Sequence, residues 1–147
     1  MMRTFTYRAR LESGEREGVV VATFPDVPEA ITQGEGEKDA LREAEDALGT
    51  ALLSYPLRGL PLPKPRTRNG PSVTVAAEVA AKLAVLEAFA ASGLSKSELS
   101  RRLDVSENEA RRILDPMHAT KLPRLSQALA VLGRRLIVGV ERVAPAA

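Results

Sequence analysis

The stretch LSKSELSRRLDVSENEARRIL, residues 94–114, indicates most about the fold of this 147-residue chain. Two short amphipathic segments, KSELSRRL and ENEARRIL, are separated by the turn Asp104-Val105-Ser106. Glu98 follows Ser95 at the spacing of a capping box, and Ser106 can cap the second segment. Two short helices joined by so tight a turn are typical of a helix-turn-helix.

In a helix-turn-helix the second helix lies in the DNA major groove, while flanking cations bind phosphates. An asparagine can pair with adenine and an arginine with guanine, and an acid can accept from cytosine. The residues predicted to contact DNA are Lys96, Arg101, Arg102, Ser106, Glu107, Asn108, Arg111 and Arg112. The alternative is a solvated helical corner without a ligand.

Two further helices are predicted on either side of this unit. One covers about residues 77–91 and ends at Gly93, and the other covers about residues 122–132 and ends at Gly133. The side chains expected to be buried on the first of these helices are Val79, Leu83, Leu86 and Ala90.

The apolar stretch LIVGV, residues 136–140, has the composition of a short strand. A terminal strand in a helical domain needs a partner for its backbone. It either packs on its own domain or pairs with the same strand of a second copy.

The first part of the chain predicts a small antiparallel sheet and one main helix. Residues 4–11 alternate polar and apolar, residues 19–24 are apolar apart from Thr23, and residues 30–34 can return as a third strand. Apolar positions spaced by three and four over residues 37–55 indicate an amphipathic helix. The fold class is therefore α+β, with an all-helical second part.

A proline-rich segment, RGLPLPKPRTRNGP, separates these parts. The predicted division is a domain over residues 1–58, a connector over 59–71 and a helix-turn-helix domain over 72–147. SVTV, residues 72–75, can still add a strand to the first sheet. Residues 1–58 carry 7 Lys and Arg against 11 Asp and Glu, whereas residues 71–147 carry 11 against 8. Opposite charges indicate different partners.

Composition disfavours most classes of enzyme. The chain has no Cys and a single His, which excludes thiol catalysis and multi-histidine metal centres. We interpret His118 as a loop or helix-capping residue. The acids Asp26, Glu29, Glu43, Glu45 and Asp46 could form a metal site, but a solvated acidic face that meets a basic protein is favoured. No apolar segment is long enough for a membrane span, and no signal peptide is evident, so a cytoplasmic protein without cofactors is expected.

The sequence from YRARLESG through FPDVPEAITQG to the acidic helix resembles the first domain of HicB antitoxins. The second part resembles the helix-turn-helix appended in one HicB subclass. The family's turn motif is matched by Phe24, Pro25, Asp26, Pro28, Thr32, Gln33 and Gly34. Gly36 stands where the family often has a capping Thr or Ser, and Glu29 stands where it often has Gly.

The resemblance implies a type II toxin-antitoxin pair. Family members have a degenerate RNase H-like first domain that blocks a small basic HicA toxin, an mRNA-cleaving ribonuclease. Their second domain dimerises and binds operator DNA, so that the antitoxin represses its own operon. The toxin-binding residues implied by position are Phe24, Pro25, Asp26, Glu29, Thr32 and Gln33.

These observations predict a non-enzymatic antitoxin and autorepressor that forms a homodimer or tetramer. The alternative is a stand-alone helix-turn-helix regulator whose first domain senses a small ligand. An active RNase H-like nuclease is a third possibility, but the strands predicted over 4–11 and 19–24 contain no carboxylate.

Overall fold

A computed structural model describes residues 2–143. The elements follow in the order β1 (Thr6–Arg8), β2 (Arg10–Ser13), β3 (Val19–Thr23), β4 (Ile31–Glu35), α1 (Glu37–Leu57), β5 (Ser72–Thr74), α2 (Ala77–Ser92), α3 (Lys96–Leu103), α4 (Glu107–Ile113) and α5 (Leu122–Val131). The predicted α+β class is confirmed. Among the described residues, no helix has the length and apolar character that a membrane crossing requires.

The strands are all antiparallel. β2 pairs with β3 and β3 pairs with β4, while β1 pairs with β5. β1 and β2 are two halves of one strand that is interrupted at Ala9, whose N–H donates to the carbonyl of Pro71 at 2.9 Å. The predicted addition of residues 72–75 to the first strand is confirmed over Ser72–Thr74.

The first core lies between this sheet and α1. Its largest buried side chains include Tyr7, Phe24, Leu48 and Leu52, each at most 2% exposed. The approach of α1 to β4 is close at Gly34, where an added Cβ would lie 2.4 Å from the backbone nitrogen of Ala40. Only glycine fits there.

Helix α2 is buried on two sides, not along the single stripe that the sequence predicted. Leu83 belongs to the first core. Ala81 and Val85 belong to a second core, built with α3, α4 and α5. Ala90, expected to be buried, is exposed. A single apolar stripe is expected for a helix that packs against one core, whereas α2 packs against two.

The connector is held along the first part of the chain. The carboxylate of Asp26 accepts from the backbone N–H groups of Arg66 and Thr67, at 2.9 and 2.7 Å. The hydroxyl of Tyr7 donates to the carbonyl of Pro63. Burial raises the pKa of Tyr7, which keeps this hydroxyl a donor. These bonds fix a segment that has no regular structure of its own.

The strand predicted over residues 136–140 is not formed within the chain. Residues 136–140 adopt no regular secondary structure. Leu136 packs against the second core, whereas Ile137, Val138 and Val140 are 56%, 69% and 99% exposed. The physical reason is that a strand requires a hydrogen-bonded neighbour, and no other strand lies beside this segment in residues 2–143.

Gly34→Ala should destabilise the fold by about 1 to 3 kcal/mol, because the added methyl would overlap the backbone of α1. Chemical denaturation of the purified chain measures this change. Gly139→Ala is the matched control, since an added Cβ there meets nothing within 4 Å. Equal stability of the two variants would contradict the close approach.

Candidate functional surfaces

The α3–α4 unit consists of two short helices joined by a tight turn, and its own side chains fix the helix ends. Ser95 accepts from the backbone of Glu98 and completes a capping box with it. Asp104 takes a left-handed conformation, with a φ of 54°, at the turn. Ser106 accepts from the N–H of Glu109 at 3.1 Å and caps α4. Both predicted caps are therefore confirmed.

The structure places every residue predicted to contact DNA on the exposed surface of this unit. The side chains in question are Lys96, Arg101, Arg102, Ser106, Glu107, Asn108, Arg111 and Arg112. Ala110 and Ile113, on the opposite side of α4, are fully buried. One face of α4 is thus packed and the other is free to meet a ligand.

Several polar side chains of α4 are paired with each other or with side chains of α3 and α5. Arg111 donates to the amide oxygen of Asn108 at 2.9 Å. Glu109 forms ion pairs with Arg112, at 3.2 Å, and with Arg124, at 3.7 Å. Glu107 accepts from the hydroxyl of Ser97 at 2.8 Å. Exposed pairs of this kind contribute less than about 1 kcal/mol, so a duplex can exchange them for its own contacts.

A buried lysine contacts the end of α4. Lys82 of α2 is 4% exposed. Its Nζ donates to the carbonyls of Arg112 and Ile113 at 3.1 and 2.8 Å, and to the hydroxyl of Thr120 at 2.8 Å. Burial lowers the pKa of Lys82 to about 8. Sequence reasoning missed this residue. The available signal was a lone lysine in the apolar run AAKLAV, between inward positions of α2.

The turn motif FPD has mainly an internal role. Phe24 is 2% exposed, so its ring packs in the first core. Asp26 holds the connector backbone, as described above. Pro25 and Gln33 are exposed, whereas Thr32 is half-buried. Pro25, Gln33 and part of Thr32 are therefore accessible at the surface, whereas the ring of Phe24 is not.

An acidic groove lies beside the edge strand β4. It has a volume of about 680 Å³. Its lining residues are Glu29, Ile31, Thr32, Glu43, Asp46, Ala47, Thr50, Ala51, Ser54 and Arg58. Glu29 is held by the hydroxyl of Tyr55, at 2.8 Å, and by Arg58, at 3.5 Å. In the described part of the chain, Glu43 and Asp46 take part in no ion pair.

A second, apolar groove of about 940 Å³ runs between the connector and α2. Leu57, Leu60, Leu86 and Phe89 line it, together with several prolines of the connector. Its size is in the range of small-molecule sites.

Two further candidates from the sequence were an acidic metal site and His118. Across residues 2–143, no three carboxylates or imidazoles gather as metal ligands would. His118 lies in the loop before α5, where its N–H donates to the carbonyl of Asp115 and its ring nitrogen lies 3.2 Å from the hydroxyl of Thr120.

Comparisons with known proteins agree on one family. A family model described as a HicB-like antitoxin of a bacterial toxin-antitoxin system matches residues 6–90. Antitoxin HicB 1 of Photorhabdus laumondii is 36% identical over 141 residues, which cover 96% of this chain and 90% of the relative. Antitoxin HicB of Escherichia coli is 37% identical over 122 residues, or 82% and 88% of the two chains. Antitoxin HicB of Pseudomonas fluorescens is 33% identical over 144 residues, or 96% and 99%.

Proposed function

The chain belongs to the HicB-like family of bacterial antitoxins, and we propose that it neutralises a small basic toxin of the HicA type and represses its own operon. The observation that carries this proposal is the pair of distinct surfaces on one chain. The first part presents an acidic groove, and the second presents a helix with exposed asparagine and arginine. No catalytic role is assigned to either surface.

The acidic groove is the proposed toxin-binding surface. Glu29 and Thr32, two of the residues predicted to bind the toxin, line it beside Glu43 and Asp46. Ile31 is 64% exposed at the same edge and supplies an apolar contact. A basic ribonuclease binds RNA phosphates with its cations, so an acidic surface can occupy the same cations and exclude RNA. Inhibition is then steric and electrostatic.

The α3–α4 unit is the proposed operator-binding surface. With α4 in the major groove, Asn108 and Arg111 lie where base edges are read, and Lys96, Arg101 and Arg102 lie where phosphates pass. Two copies of the chain would place two reading helices about 34 Å apart on a palindromic site.

The exposed C-terminal segment 136–140 is the proposed pairing element between copies. Ile137, Val138 and Val140 are exposed, and the backbone has no strand partner within residues 2–143, which together favour antiparallel pairing with a second copy. This joins two operator-binding units into a homodimer, and a further contact between dimers gives a tetramer.

The alternative function, a regulator that senses a small ligand, is favoured only by the apolar groove between the connector and α2. A neighbouring reading frame for a short basic protein with one histidine distinguishes the two functions, because a sensor needs no such partner.

Asn108→Ala and Arg111→Ala should each weaken operator binding about tenfold to a hundredfold, since a lost base contact costs about 1 to 3 kcal/mol. The two side chains are hydrogen-bonded to each other, so their effects should not add. Gel-shift titration with the DNA upstream of the gene measures binding, and co-expression with the neighbouring toxin gene measures neutralisation. Neutralisation should be unchanged.

Arg16→Ala is the control, because Arg16 is an exposed arginine paired with Glu35 on the first part of the chain.

For the unmodified chain, about six phosphate contacts per dimer give a slope near −5 for log affinity against log salt. A flat salt dependence, or equal loss of neutralisation in the α4 variants, would contradict operator binding by this unit.

Glu43→Lys combined with Asp46→Lys should weaken toxin binding roughly 30-fold or more, because the groove would then repel a basic surface. Calorimetry with the partner toxin measures the affinity, and operator binding should persist. Glu15→Lys combined with Glu17→Lys changes the net charge equally on exposed residues before β3 and serves as the control. If both double substitutions weaken toxin binding equally, the net charge of the chain determines the affinity and the groove does not.

Val138→Lys combined with Val140→Lys should convert the dimer to a monomer, because a buried pairing strand cannot accommodate adjacent like charges. Light scattering after size exclusion measures the mass. Met117→Lys, at a side chain 70% exposed in the loop after α4, is the control. An unchanged dimer mass in the double variant would place the pairing elsewhere.

A further inference from the structure

The buried ammonium of Lys82 is matched to its surroundings. A lysine ammonium has three N–H donors, and Nζ has three acceptors within 3.1 Å: the carbonyls of Arg112 and Ile113 and the hydroxyl of Thr120. Two of these acceptors are the last carbonyls of α4. Lys82 therefore connects α2 to the end of the exposed helix.

Helix α4 depends on such external contacts for its position. It has seven residues, and a helix of that length is unstable on its own in water. Ser106 fixes its first turn. At its other end, the carbonyl of Ile113 accepts from Lys82 and from no other group among the hydrogen bonds of residues 2–143. A cation at this end also interacts favourably with the helix dipole.

Stability alone does not account for a charged residue at this place. Burial of an ammonium costs several kcal/mol, and a well-packed apolar residue in its place is often neutral or stabilising. What an apolar side chain cannot supply is a directional contact with both carbonyls. Lys82 lies next to Leu83, which belongs to the first core, so the contact orients α4 relative to the body of the protein.

We propose that Lys82 is a positioning residue that sets the orientation of α4 and thereby the discrimination between operator and unrelated DNA. This inference rests on the proposed operator binding. Phosphate contacts from exposed arginines tolerate a small rotation of α4, whereas bidentate base contacts do not. Loss of the lysine contact should therefore reduce specific binding more than non-specific binding.

The charged groups around Lys82 determine how this contact responds to pH. Asp115 and Glu109 raise the pKa of Lys82, but desolvation outweighs them and the value falls from 10.5 to about 8. His118 contacts the same network through the hydroxyl of Thr120. Above about pH 8 the neutral amine of Lys82 has two N–H donors for the three acceptors around it, so its contact with the end of α4 weakens.

Stability and discrimination should then change in opposite directions. Between about pH 8 and the ordinary lysine value of 10.5, the unfolded chain binds this proton more strongly than the folded chain does. Folding stability contributed by Lys82 therefore rises with pH in that window. Discrimination should fall as pH passes about 8. A residue that only stabilised the fold would not separate the two trends.

The experiment compares the full chain with Lys82→Met, which keeps an unbranched side chain of similar length but removes the donors. The ratio of affinities for the upstream DNA and an unrelated duplex should fall roughly tenfold, as for one lost base contact. Neutralisation of the toxin should persist. Lys38→Met, at an exposed lysine of α1, should retain both the ratio and its fall above pH 8.

Amide hydrogen exchange over residues 110–114 gives a readout that needs no DNA. After division by the intrinsic exchange rate, which rises with pH through base catalysis, lower protection in Lys82→Met, and in the unmodified chain above pH 8, is the expected result. If Lys82→Met does not fold, the pH dependence of protection in the unmodified chain decides. Unchanged protection and an unchanged affinity ratio would overturn the positioning role. If the unmodified chain shows no preference for the upstream DNA, the proposed repression fails while exchange still tests Lys82.

Discussion

Helix α2 contributes to two cores at once, and the arrangement of the whole chain depends on this. Leu83 is buried with the sheet and α1, whereas Ala81 and Val85 are buried with the helices that follow. An added Cβ at Gly49 of α1 would lie 3.4 Å from Val79, so α1 and α2 pack closely. A helix with two buried sides cannot rotate about its axis without exposing one of them, so the two parts share one rigid element.

This shared helix affects how the chain divides. The family match extends over residues 6–90 and therefore includes most of α2. β5, which precedes α2, pairs with β1. Charge and proline content predicted a division at residues 58 and 72, and that division remains a prediction about independent folding. In the structure the segment after residue 71 first completes the sheet and then contributes to the first core before it reaches the α3–α4 unit.

Local patterns in the sequence predicted the local structure well. Alternation in the first strand, the spacing in α1, the capping box at Ser95 and the cap at Ser106 are all confirmed, because each depends on residues close in the chain. The hydrogen bonds that local patterns did not predict join residues far apart in the chain. Asp26 bonds to a backbone about 40 residues away, and Lys82 to carbonyls about 30 residues away. The terminal strand was predicted from composition, which gives no partner for its backbone.

The two proposed surfaces differ in what they require of the fold. The acidic groove would act through charge and shape, and its acids lie on the long helix α1 and in the turn before β4. Base recognition requires α4 to be held to within a fraction of an ångström, yet α4 is short and held mainly from outside. Substitutions at exposed residues can therefore separate the two proposed activities. Substitutions in α2 act according to the side they face, because Leu83 supports the groove through the first core, whereas Ala81 and Val85 support α4 through the second.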